Sequence, residues 1–171
     1  MSDEWSAAGE EYATADADAT RALGATLARS IQPGQVIALR GDLGAGKTTF
    51  VQGLAAGLGF VGQVTSPTFI LVNEYLLPGR RRLVHIDAYR LGDTSTVALD
   101  EAATFGLEDI LAAEDAIVAI EWSERVAGAL HDDYLRVELL ATAPDARRIR
   151  ISAVGAQSAA ALARLRAQNT D

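Results

Sequence analysis

The segment Gly41 to Thr49 reads GDLGAGKTT, and its spacing of Gly41, Gly46, Lys47 and Thr48 satisfies the phosphate-loop pattern G-x-x-x-x-G-K-[ST]. Small residues at Gly44 and Ala45 let successive backbone N–H groups converge on phosphate oxygens, and a helix that follows adds the positive end of its dipole. A lysine here can bridge the β and γ phosphates, and the hydroxyl after it can ligate magnesium. The predicted nucleotide site is therefore Gly41, Leu43, Gly44, Ala45, Gly46, Lys47, Thr48 and Thr49, binding ATP or GTP with magnesium. Lys47 is the only lysine in the chain, the other fourteen basic residues being arginine.

Phosphoryl chemistry also needs a carboxylate at the end of a neighbouring strand. Ile117 to Glu121 (IVAIE) and Leu83 to Asp87 (LVHID) both place an acid after an apolar run. Either acid alone has a plainer explanation, as the solvated end of a strand; the pair makes Glu121 and Asp87 candidates together, without deciding which lies nearer the attacking water. Thr65-Ser66-Pro67-Thr68 offers hydroxyls in a proline-fixed loop, as a phosphate sensor or as a simple connection. His85 reads as a proton shuttle or a structural histidine, and Trp122 as packing. Arg80-Arg81-Arg82 reads as a solvated hairpin tip that can also meet RNA or an acidic partner.

These residues need a frame. Val36 to Leu39 is a short apolar run of buried-strand type, followed by the glycine-rich loop and then by helical spacing from Thr48 to Leu58. Before it, Ala19 to Ile31 has Leu23, Leu27, Ala28 and Ile31 on one helical face, closed by Pro33-Gly34. Phe69 to Leu77 and Leu83 to Tyr89 predict an antiparallel hairpin. Thr94 to Ala113 predicts two short helices divided at Gly106, and Ala116 to Trp122 another buried strand. Leu135 to Leu140 and Ile149 to Val154 form a second strand pair, and Ser158 to Gln168 a final helix capped by Ser158. The alternation predicts an α/β fold built around a strand, phosphate loop and helix.

Composition bounds the rest. At 171 residues, 49 % apolar and 22 % charged, the chain suits one folded domain over residues 13–171, and with no cysteine it excludes disulfides, thiolate zinc sites and cysteine nucleophiles. Met1 to Asp18 has six acids and no base, unlike a signal peptide, so residues 1–12 are expected to be an acidic, disordered tail and the protein cytoplasmic. Thr48 to Asn73 lacks charge, but four glycines and Pro67 interrupt it, so no membrane span is expected. The net charge of −8 and two small arginine clusters, 80–82 and 147–150, give little support for nucleic-acid binding unaided.

Taken as a set, GDLGAGKTTF at 41–50, SPTF at 66–69, HIDAYRL at 85–91 and IEW at 120–122 make the chain resemble the TsaE (YjeE) family of bacterial ATPases. The resemblance implies a three-layer P-loop NTPase-type fold with a mixed parallel and antiparallel sheet, and ATP bound with Mg2+. It also implies weak hydrolysis that depends on partners, TsaB and TsaD, which transfer a threonylcarbamoyl group to adenosine 37 of tRNAs reading ANN codons. Contact with tRNA would be indirect, through that complex. The resemblance also implies that Thr48 and Glu121 ligate the metal, that Asp87 is the second acid, that residues 66–69 act as a switch, and that Trp122 lies near the nucleotide. A small-molecule P-loop kinase is the alternative, although no arginine-bearing lid is evident. A GTPase is disfavoured by the lack of an NKxD box.

Overall fold

The computed structural model describes residues 9–68, 71–92 and 94–169. Among them, a seven-stranded sheet is built from β1 (Gly9–Thr14), β2 (Val36–Arg40), β3 (Val72–Leu77), β4 (Arg81–Asp87), β5 (Ala116–Glu121), β6 (Tyr134–Ala141) and β7 (Arg147–Val154), in the order β1-β7-β6-β2-β5-β4-β3. The three inner pairings, β6 with β2, β2 with β5 and β5 with β4, are parallel; the flanking ones are antiparallel. Strands β2 and β5 are the continuous apolar runs of the sequence because helices cover both of their faces.

On one face lie α1 (Ala17–Ala28), α2 (Lys47–Gly57) and α5 (Ala156–Gln168), whose Leu23, Leu27, Phe50, Leu54, Leu162 and Leu165 share a core with Ile37, Leu39, Leu83, Ile117 and Ala119. The other face carries α3 (Ser95–Thr104), α4 (Leu107–Leu111) and a 3₁₀ segment, Ser123–Ala129, packed on Val84, Ile86, Val118 and Ile120. These are the three layers and mixed sheet expected. Strand periodicity then assigns the polar residues: His85 and Asp87 fall on the side of Leu83, and Glu121 on the side of Ile117 and Ala119. All three therefore face the layer that contains α2. Among the described residues no helix is long and apolar enough to cross a membrane.

Helices α1 and α2 meet almost backbone to backbone. A Cβ on Gly53 would lie 1.9 Å from the Arg21 carbonyl oxygen, and one on Gly24 2.3 Å from that of Phe50. Glycine at both positions is what lets α2, and the loop preceding it, sit at this depth.

Two local expectations are corrected. Residues 9–12, assigned to the acidic tail, belong to β1, which pairs antiparallel with β7 so that Tyr12 stands opposite Ile149 and Glu11 opposite Arg150. Glu10 is bonded to Arg166 at 2.5 Å. Acids that look solvating in the local sequence are thus matched by arginines more than 130 residues away. Residues 1–8 of that expected tail lie outside the described residues, as do Phe69 and Ile70 of the predicted hairpin. The last helix begins at Ala156, and Ser158 is buried within it rather than capping it. The cap comes from another element: Asp133 accepts hydrogen bonds from the amides of Gln157 and Ser158 at 2.8 and 2.9 Å. Desolvation pushes the Asp133 pKa up, but the donors of Ser158 and Gln157 outweigh it and hold the carboxyl below its ordinary value.

Gly53→Ala should destabilise the protein by about 3 kcal/mol, the upper part of the usual range for overpacking, because its methyl meets rigid backbone; urea unfolding would measure it. The Asp133 contribution has a definite sign. A carboxyl whose folded pKa is depressed stabilises fully above the unfolded value, here 3.8, and loses that effect as pH falls through the lower folded value. Asp133→Ala should lower the thermal midpoint at neutral pH, and the gap to wild type should narrow below that point.

Candidate functional site

The loop from Gly41 to Gly46 joins β2 to α2. Gly46 occupies the N-cap with φ of 100°, a left-handed conformation that favours glycine, and no side chain caps the helix. The first-turn amides are left open for an anion. Lys47 is buried and its Nζ donates to the carbonyls of Gly41 at 2.5 Å and Asp42 at 2.9 Å. The same ammonium lies 4.1 Å from the centroid of the Trp122 ring, within cation–π range. Burial lowers the Lys47 pKa, opposed chiefly by Glu121, then by Glu124, Asp87 and Asp42.

The two acids meet beside it. In the β4–β5 register Asp87 stands opposite Glu121, and Glu121 is in turn opposite Leu39 of β2. One oxygen of Glu121, Oε1, lies 2.8 Å from the Thr48 hydroxyl and 2.7 Å from Nε2 of His85. With Glu121 ionised, both neighbours donate to it. Glu121 is 3 % exposed and His85 fully buried. The Asp87 carboxylate is used differently. Its Oδ2 accepts from Ser66 at 3.1 Å and Thr68 at 2.8 Å, and its Oδ1 from the Tyr89 amide at 2.9 Å. Asp87 thereby straps the Ser66–Thr68 loop to the end of β4.

These groups border a cleft of about 280 Å³. Of the residues predicted from sequence, Leu43, Gly44, Gly46, Lys47, Thr48, Thr49, Asp87 and Glu121 line it. Gly41 and Ala45 do not: Gly41 holds Lys47 through its carbonyl, and the Ala45 methyl packs into the core. Ser66, Thr68, Tyr89 and Trp122 also line the cleft. Trp122, assigned to packing, has a φ of 57° and stacks on Tyr89 with ring centroids 4.9 Å apart. His85, left open between shuttle and structure, is bonded to Glu121. Arg147 borders the cleft too; sequence placed it only in a basic cluster, since nothing local signals that β7 starts beside the loop. At the hairpin, Arg82 is paired with Glu74 and Asp115, so the triplet is not a row of three solvated cations.

Among the described residues no cluster of three or more His, Cys, Asp or Glu side chains can hold a metal by itself. Thr48 Oγ1 and Glu121 Oε1 are instead a pair of hard oxygens at the mouth of a phosphate loop. Such a set suits magnesium, which commonly takes one or two protein oxygens and completes its shell with phosphate and water.

Known proteins are similar to this chain in sequence and in fold. The family model described as "Threonylcarbamoyl adenosine biosynthesis protein TsaE" matches residues 14–149. Proteins named tRNA threonylcarbamoyladenosine biosynthesis protein TsaE are similar to the chain. The one from Nostoc sp. is 49 % identical over 66 % of this chain and 67 % of its own length. That from Streptomyces coelicolor is 38 % identical over 82 % and 95 %, and that from Bacillus subtilis 34 % over 85 % and 86 %. Among solved structures, Bacillus subtilis YdiB superposes with a TM-score of 0.78 and 28 % identity, covering 95 % of this chain and 97 % of that one. The motif order, the three-layer fold and these matches lead to one conclusion: the chain belongs to the TsaE family.

Proposed function

We propose that this protein binds ATP with Mg2+ and hydrolyses it slowly, that partner proteins of the TsaB and TsaD type stimulate the turnover, and that it serves threonylcarbamoyl modification of adenosine 37 in tRNAs reading ANN codons. The names of its relatives support the pathway. The observation that carries the ATP reading is the sharing of Glu121 Oε1 between Thr48 and His85 at the foot of the phosphate loop. A buried carboxylate bonded to the loop's own hydroxyl is what a metal-assisted nucleotide site needs.

In this proposal Lys47 leaves the carbonyls of Gly41 and Asp42 and turns its charge to the β and γ phosphates, where it is a stronger partner than a neutral carbonyl. Thr48 and Glu121 hold magnesium, which offsets the phosphate charge. The amides of Gly44, Gly46, Lys47 and Thr48 cradle the phosphates, with Leu43 and Thr49 bordering the same cleft. Asp87 is the second acid and keeps Ser66 and Thr68 beside the γ phosphate. Its bonds to these hydroxyls hold the 66–68 segment in one state, and release toward the γ phosphate would be the second state that a switch requires. Slow intrinsic turnover suits a site that partners must complete. The transferase step belongs to the partners.

Purified protein should hydrolyse ATP slowly alone and faster with TsaB- and TsaD-type partners, in a reconstitution that follows ATP turnover and modified tRNA together. Robust phosphoryl transfer to a metabolite without any partner would replace this reading with a kinase. Lys47→Ala should weaken ATP binding roughly 10- to 100-fold, the loss of a charge-assisted interaction of about 1.5–3 kcal/mol. Both Lys47→Ala and Glu121→Ala should abolish tRNA modification while far-UV circular dichroism stays native; unchanged modification by both would refute the site. An amine-reactive reagent should label Lys47, beside the N-terminal amine, and ATP should protect it.

A further inference from the structure

Arg147, the first residue of β7, borders the cleft beside the phosphate loop. Its Nε donates to the Ala45 carbonyl at 2.9 Å and its Nη2 to the Gly44 carbonyl at 3.1 Å. The remaining nitrogen, Nη1, donates to the carbonyls of Ala143, Pro144 and Ala146 at 3.1, 3.1 and 2.8 Å. One guanidinium thus joins the loop leaving β2 to the turn between β6 and β7. Its base is firm, because the Arg147 backbone stands in register between Thr14 of β1 and Ala141 of β6.

The two loop carbonyls belong to consecutive peptide units, and the second is the informative one. In a planar trans peptide the C=O and N–H point in opposite directions, and among the described residues there is no cis bond. Fixing the Ala45 carbonyl on Arg147 therefore sends the Gly46 N–H the other way. The neighbouring groups are already used: the Ala45 amide donates to Asp42 at 3.0 Å, and the Gly46 carbonyl accepts from Phe50 at 2.9 Å. Among the described residues the Gly46 amide donates to no backbone carbonyl. It is a donor left over, aimed by its own peptide, in a loop that borders the cleft.

We infer that Arg147 is a positioning residue for the nucleotide: by holding the Gly44 and Ala45 carbonyls outward it turns the Gly46 amide toward the phosphates. The inference rests on the ATP-binding reading above. A permanently charged, planar fork is what the geometry uses, since two separate nitrogens reach two carbonyls while a third holds the turn. Lysine, a single point charge, cannot hold all three sets at once.

The test compares wild type, Arg147→Ala and Arg147→Lys by calorimetric titration with MgATP and by backbone 15N relaxation of the nucleotide-free proteins. Both variants should bind MgATP about tenfold more weakly or worse, as expected for losing charge-assisted hydrogen bonds. Order parameters at Gly44 to Gly46 should fall in both, while those of β2 and β5 stay as in wild type. Unchanged order at Gly44 to Gly46, or full recovery of affinity in Arg147→Lys, would overturn the inference. Should wild type itself bind no ATP, the nucleotide reading fails, yet the relaxation data still decide whether Arg147 orders the loop. Falling order there supports the positioning role and unchanged order refutes it.

Discussion

A carboxylate withdrawn from water must be matched by donors, because an unpaired buried charge costs several kcal/mol. Glu121 is such a group, and its solution organises the middle of this molecule. It ends β5, the strand flanked in parallel by β2 and β4. Its Oε1 is met by His85 from β4 and by Thr48 from the first turn of α2. Three elements are thereby fixed to one oxygen atom. The depth this demands of α2 is available because glycines 24 and 53 let α1 and α2 touch through their backbones. A bulkier contact there would lift the phosphate loop away from the acid.

Around that point the site divides its labour between its two acids. Glu121 faces the loop hydroxyl and histidine, whereas Asp87 gathers Ser66, Thr68 and the Tyr89 amide. His85 and Glu121 are buried, whereas Ser66 and Thr68 lie on a loop that borders the cleft. Lys47 sits between them with its charge spread over two carbonyls and the Trp122 face. Neutral carbonyls are weaker partners for an ammonium than phosphate oxygens, which is why the proposed function has Lys47 exchange them for phosphate.

Arginine, by contrast, builds the outer frame. Arg166 meets Glu10 of β1, Arg82 meets Glu74 and Asp115, and Arg147 ties the phosphate loop to the turn before β7. The runs that looked like basic patches in sequence thus include residues tied into the fold, which removes much of the case for a nucleic-acid surface at those two places.

Much was legible in the chain itself. The phosphate loop is contiguous, so its chemistry is written in local spacing, and the helix after it follows from the same stretch. Strands β2 and β5 announce themselves because burial on both faces demands unbroken apolar runs. The acids at residues 87 and 121 were findable for the same reason, as polar residues ending such runs. What sequence could not decide was which groups meet across the sheet. That Glu121 rather than Asp87 bonds Thr48, that His85 faces Glu121, that Asp133 caps α5 in place of Ser158, and that β1 starts at Gly9 all depend on strand order and register. Partners from 24 residues apart (Asp133 and Gln157) to 143 apart (Gly9 and Ser152) leave no local signature, since hydrogen bonding and burial are satisfied in space. Sequence determined which chemistry is present, and tertiary structure alone decided which atoms share it.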